Sequence, residues 1–231
     1  MAKRRPTSSG SAPRGTADDA FTARVLQFVV WARDRTEVLI AMVVLAVLLV
    51  GGGIYYYNQR TAQLQQAEVE LQVIQRTLAF VEPSEGLQQL REFVAQYSGT
   101  PHATEARLAL AELLLEENRP QEAVDTLSEV APSYRDPLRL QATILLAVAL
   151  EEAEDWPRAI EVYGELAERA EFSHQRRDAA EGLARSHLAQ GDTAAAAAAY
   201  ERALEELDEG DEERRNYFEM RLAELQGIDD A

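Results

Sequence analysis

Three histidines, His102, His174 and His187, are the residues of this chain best suited to acid–base or metal chemistry. No two of them stand three or four residues apart, and no HExxH pattern occurs. Carboxylates are abundant, as in Glu116-Glu117 and Glu151-Glu152, but no His, Ser or Lys is spaced to form a catalytic pair with them. Those runs read as solvated helix faces, and His187 reads as a packing residue. Cysteine is absent, which excludes disulfides, thiol nucleophiles and thiolate metal sites. The triple glycine Gly51–Gly53 lies inside an apolar run and is no phosphate loop. The sequence therefore predicts no enzyme, no metal site, no cofactor and no small-molecule substrate. What remains is recognition of other proteins.

The elements that would position such recognition begin with an apolar run. Residues 38–57 pass without a charge, from Val38 to Tyr57. As a helix, twenty such residues span about 30 Å, the hydrocarbon thickness of a bilayer. The run is too long and starts too late for a signal-peptide core, and no A-x-A site follows it. It predicts an uncleaved transmembrane helix over 37–57. Lys3, Arg4, Arg5, Arg14, Arg24, Arg33 and Arg35 precede it, whereas Arg60 is the one positive charge in the next fifteen residues. That bias predicts an N-terminus in the cytoplasm and a C-terminal domain outside, in a bacterial periplasm. Trp31 and Tyr55 to Tyr57 supply interfacial aromatics.

Charge bounds the partners. Seven positive and four negative charges precede Asn58, so the remaining residues carry −20 of a chain that sums to −17. Such a domain repels phosphate backbones and anionic headgroups. The expectation is no nucleic acid, with membrane contact confined to residues 38–57. Residues 1–17 are rich in Ser, Pro, Gly and basic side chains and predict a disordered cytoplasmic tail. Residues 18–36 read as a juxtamembrane amphipathic segment or as an extension of the membrane helix.

Residues 58–231 show no strand pattern. Ala, Leu, Glu, Gln and Arg dominate, and breaks recur at Pro83, Gly99 to Pro101, Pro120, Pro137, Pro157, Gly191 and Gly210. The helices between them repeat. Gly86, Ala123, Ala159 and Ala196 are spaced by 37, 36 and 37, and each is followed four residues later by Leu90, Leu127, Tyr163 or Tyr200. Preceding helices carry Leu110-Ala111 with Leu114, Leu146-Ala147 with Leu150, and Leu183-Ala184 with His187. This pattern resembles the tetratricopeptide repeat. It departs from that repeat in lacking the leading Trp and in placing its prolines at Pro101 and Pro137. The expected fold is all-α: a single N-terminal transmembrane helix followed by a tetratricopeptide-like right-handed array of helical hairpins. Expected repeats run over about 61–101, 104–137, 140–174 and 177–210, with a capping helix over 212–226.

In this repeat class the first helices of the hairpins line a groove. The resemblance implies a protein-binding groove formed by Leu108, Glu112, Leu115, Ile144, Val148, Glu151, Glu181, Arg185 and Leu188. Apolar with acidic rims, it would suit an extended or helical segment bearing apolar and basic residues. The whole layout is similar to the ancillary SecYEG translocon subunit family of the bacterial inner membrane. That similarity rests on Phe28 to Trp31 before the anchor, Gly53 to Tyr57 closing it, the repeats, and a terminal helix over 216–225. It implies association with translocon subunits and periplasmic chaperones, and contact with exported unfolded chains. The alternative expectation is a periplasmic scaffold for cell-envelope assembly or cell division.

Overall fold

The computed structural model describes residues 36–130, 132–208 and 210–229. The expected tail and most of the juxtamembrane segment fall in 1–35, outside the described residues. Every regular element described is helical. Helix α1 spans Thr36–Thr77 and is followed by a single 3-10 turn at Leu78–Phe80. Then come α2 (Pro83–Gln96), α3 (Pro101–Glu116), α4 (Pro120–Ser128), α5 (Pro137–Glu152), α6 (Trp156–Arg169), α7 (Ser173–Ala189), α8 (Thr193–Glu205) and α9 (Glu212–Asp229).

The chain divides into two units after Thr61. In the first, the large apolar side chains described between Ile40 and Tyr57 are all exposed, from 47% at Met42 to 71% at Tyr55. This part of α1 is long and apolar enough to cross a membrane, and its described side chains bury no apolar surface against the described residues.

The second unit stacks α2 to α9, each helix packing on the next. Proline starts the helices cleanly: Pro83, Pro101, Pro120 and Pro137 open α2 to α5, and Pro157 is the second residue of α6. At those positions a missing N–H costs nothing, and the fixed φ suits the first turn. Thr100 and Asp136 cap α3 and α5, accepting from the Ala103 and Arg139 amides at 3.1 and 3.0 Å.

Three hairpins, α3/α4, α5/α6 and α7/α8, close through the same turn. Asn118, Glu154 and Gly191 take left-handed φ values of 58°, 56° and 80°. The following amides of Arg119, Asp155 and Asp192 donate back to the carbonyls of Leu114, Leu150 and His187 at 2.8, 2.9 and 3.0 Å. That six-to-one bond satisfies carbonyls a helix end otherwise leaves bare. Asp155 and Asp192 then cap the next helix, accepting from the amides of Arg158 (3.4 Å) and Ala195 (3.0 Å).

The core follows the repeat. Ala123, Ala159 and Ala196 are fully buried, and Leu90, Leu127, Tyr163 and Tyr200 are at most 4% exposed. A methyl group built on Gly86 would stand 2.8 Å from Leu78 Cδ2 and 3.3 Å from Leu113 Cδ2, so a larger residue there would make both leucine side chains shift. Ala67, Leu71 and Ile74 of α1 join the same core. Trp156 is only half-buried at the start of α6.

Two glycines should respond oppositely to Ala. On Gly182 of α7 the new methyl would lie 2.5 Å from the Tyr163 ring, whereas around Gly164 of α6 nothing lies within 4 Å. In urea melts, Gly182→Ala is expected to lose about 1–3 kcal/mol through overpacking. Gly164→Ala is expected to gain about 0.5–1 kcal/mol from helix propensity. Equal effects would show that Tyr163 does not set the spacing of α6 and α7. Glu154→Gly should gain about 0.5–1 kcal/mol, because a left-handed side chain costs more than glycine's extra unfolded freedom.

Candidate interaction surface

The first helices of the hairpins, α3, α5 and α7, lie next to one another, with α1 before them and α9 after them. α3 packs on α5. The remaining neighbours are joined by side chains one repeat apart. Gln75 of α1 donates to Glu105 of α3 at 3.1 Å. Arg185 of α7 holds Glu151 of α5 with two hydrogen bonds, at 2.7 and 3.0 Å. Arg214 and Tyr217 of α9 donate to Asp178 (2.9 Å) and Glu181 (3.4 Å) of α7.

The nine expected groove residues separate into four environments. Glu151, Glu181 and Arg185 come together in one polar network, with Arg185 also 3.5 Å from Glu181. Glu112 is exposed, Ile144 is 37% exposed and Val148 is half-buried, so these three offer surface. Leu115 and Leu188 are half-buried and pack partly against the core. Leu108 departs from the expectation: it is 5% exposed and belongs to the core. The reason is that α3 packs on α2, α4 and α5 at once, so its buried face is wider than one stripe.

Electrostatics divide the surface. Glu151 is held by the Arg185 guanidinium and by the Tyr163 hydroxyl, which donates to Oε2 at 2.8 Å. Burial pushes the Glu151 carboxyl up, but the Arg185 and Tyr163 hydrogen bonds outweigh it and hold the group below the ordinary range. Burial, followed by the Glu151 carboxylate, pushes the Tyr163 hydroxyl far up. Glu151 of α5 and Asp178 and Glu181 of α7 are thus paired within the chain. On α3 and the end of α5 the situation reverses: among the described residues, Glu112, Glu116 and Glu152 find no side-chain ion-pair or hydrogen-bond partner. They lie on the same two helices as the partly exposed Leu115, Ile144 and Val148. The surface can therefore attract cations over α3 and α5, while over α7 it is already satisfied.

Tyr163, Arg214 and Tyr217 escaped the sequence reading as polar partners, because tyrosines at those places look like packing residues. One signal could have found them. The pairs Glu151–Arg185, Asp178–Arg214 and Glu181–Tyr217 are separated by 34, 36 and 36 residues, close to the repeat period itself. Among the described residues no group of three or more metal-ligating side chains stands together.

The Glu151 network gives a pH signature. A carboxyl whose folded pKa is depressed stabilises fully above its unfolded value, and loses that contribution as pH falls through the folded one. In thermal melts, Glu151→Gln should be less stable than the parent at neutral pH, and the gap should close below about pH 4.3. A gap that stays constant into acid would remove the ionised network as its cause.

With the geometry in view, the comparisons are consistent with it. Residues 30–227 match the tetratricopeptide repeat-like domain family. Among solved structures, MamA from Desulfovibrio magneticus RS-1 superposes with a TM-score of 0.53 at 18% identity, over 71% of this chain and 85% of that one. A Podosopora anserina protein with nearly identical TPR-like repeats gives a TM-score of 0.51 at 18% identity, over 71% of this chain and 94% of that one. No curated protein sequence matches.

Proposed function

This chain belongs to the tetratricopeptide repeat-like domain family, and from that premise we propose that it is a membrane-anchored protein-interaction subunit of the bacterial inner membrane. In this reading, residues 38–57 cross the bilayer with the N-terminus in the cytoplasm and the repeats in the periplasm. The long apolar part of α1 with its exposed side chains supports the anchor. The basic residues before it support the orientation.

The observation that carries the interaction role is the open strip on α3 and α5. Ile144, Val148 and Leu115 are partly exposed apolar residues on these helices, and Glu112, Glu116 and Glu152 on the same helices have no side-chain partner among the described residues. A buried ion pair gains little, but an exposed carboxylate beside an apolar strip steers and orients a cationic, apolar segment. Exported chains emerging unfolded from a membrane channel have that chemistry. The partners in this reading are the SecYEG translocon and periplasmic chaperones, and the task is to receive exported proteins and assist their folding. The overall layout, one apolar helix before a periplasmic repeat domain, supports the translocon part of the reading.

In-cell photo-crosslinking from Glu112 and Ile144, compared with Asp125 on α4, tests it after gentle solubilisation. Translocon subunits or exported chains should be captured from the α3/α5 positions and not from Asp125. Consistent absence of SecY would sink the translocon assignment. Equal capture from Asp125 would sink the strip as the binding surface. Glu112→Lys should reduce capture several-fold by reversing the rim charge.

A further inference from the structure

Helix α4 stops short of its counterpart one repeat on: it has 9 residues where α6 has 14. Pro132 has no N–H to give the Ser128 carbonyl, so a regular helix cannot run on past that point. The 36-residue spacing of Ala123 and Ala159 puts Val130 at the place of Leu166. Leu166 and Ala167 are at most 1% exposed, on the last turn of α6. Arg202 of α8 closes that turn by donating to the Ala167 carbonyl at 2.9 Å. At Arg202's place one unit earlier stands Glu165, whose carboxylate donates nothing and instead accepts from the Tyr134 hydroxyl. The missing turn leaves a cleft of about 240 Å³. Its apolar walls are Leu127 of α4, Ala142 and Leu146 of α5 and Val162 of α6, with Val130 and Pro132 between α4 and α5.

We propose that this cleft is a socket for one leucine-sized aliphatic side chain presented by a partner protein. The polar groups on its wall disfavour water as the occupant, because each has a partner within the chain. The Ser128 hydroxyl donates to the Val124 carbonyl at 2.7 Å and accepts from Arg158 at 3.3 Å. The Thr143 hydroxyl donates to the Arg139 carbonyl at 2.8 Å. A buried water needs roughly two to four polar partners, whereas a dry apolar cavity of about 150 Å³ admits benzene. The rim asks for no ionic guest either, since Arg158 lies 3.4 Å from Asp155 and Arg169 lies 3.9 Å from Glu165. The neighbouring unit shows what fits: the same place there holds a leucine and an alanine. Ala142, Thr143 and Leu146 lie on the opposite side of α5 from Ile144 and Val148. The socket is therefore separate from the surface proposed above, and only its guest's source in a protein rests on that reading.

The chain contains no cysteine, so Ser128→Cys at the mouth can be charged with defined thiols in the full chain held in lipid discs. The branched 2-methylpropane-1-thiol is expected to be retained about tenfold over 2-mercaptoethanol. Asp125→Cys, on the exposed side of α4, should show no preference. Ala142→Leu and Val162→Phe fill the cleft from its walls, so each should abolish the preference with the thermal melt unchanged or raised. In cells, a short diazirine photo-crosslinker at Ser128 should join a partner protein at Leu, Ile or Met. Ala142→Leu should reduce that capture several-fold and leave capture from Glu112 unchanged. Equal retention of the two thiols at Ser128→Cys would overturn the proposal, as would a marked loss of thermal stability in both filling variants. Capture from Ser128 that is absent, or that Ala142→Leu does not reduce, overturns it as well. Loss of capture from Glu112 alone sinks the α3/α5 surface and leaves the socket standing, so the two readings fail separately.

Discussion

The repeats depend on helices crossing where almost no side chain intervenes. Gly86, Ala123, Ala159 and Ala196 sit at the same place in four successive units, and each is buried. A larger residue there pushes its neighbours apart, as the 2.8 Å approach of Leu78 to Gly86 makes plain. Close crossing in turn brings the bulky residue one turn later, Leu90, Leu127, Tyr163 or Tyr200, into the junction with the next helix. A single hairpin cannot cover that residue, so stability is shared between neighbours along the stack. Gly182 shows the same requirement from the other side, since it is the absence of a side chain on α7 that admits the Tyr163 ring.

Much of this was legible in the sequence because the constraint is local and repeats. A small residue followed four places later by a bulky one needs no knowledge of neighbours, and its period located the hairpins. The turns were legible too: Asp155 and Asp192 are natural caps, and Gly191 is the residue a left-handed turn favours. The candidate surface was less so. Periodicity gives the centre of a buried stripe but not its width, and Leu108 went inside because α3 has three neighbours. Glu151, Glu181 and Arg185 were read as groove residues, but their mutual contacts depend on the offset between successive units, which no single helix encodes. Tyr163 read as a core residue, and its ring is one; its hydroxyl reaches the surface network as well.

The resulting surface is uneven by construction. Arg185, Arg214 and Tyr217, each supplied by the following unit, occupy Glu151, Asp178 and Glu181. Glu112, Glu116 and Glu152 on α3 and α5 receive no such partner among the described residues, so that part of the rim stays open. Intramolecular pairing therefore selects which stretch of a uniformly acidic sequence faces solvent as unsatisfied charge, a distinction that net charge alone conceals.

The turns at Asp155 and Asp192 carry one more consequence. Each aspartate belongs to two helices at once, its amide closing one and its carboxylate opening the next. There is no spare residue between them, so an insertion at either point undoes both helix ends together. Thr100 does similar double duty between α2 and α3, its amide donating to the Tyr97 carbonyl and its hydroxyl oxygen capping α3. Turns this economical tie neighbouring helix ends together, so the increment of length that such a scaffold accepts with least disturbance is an entire hairpin rather than a longer loop.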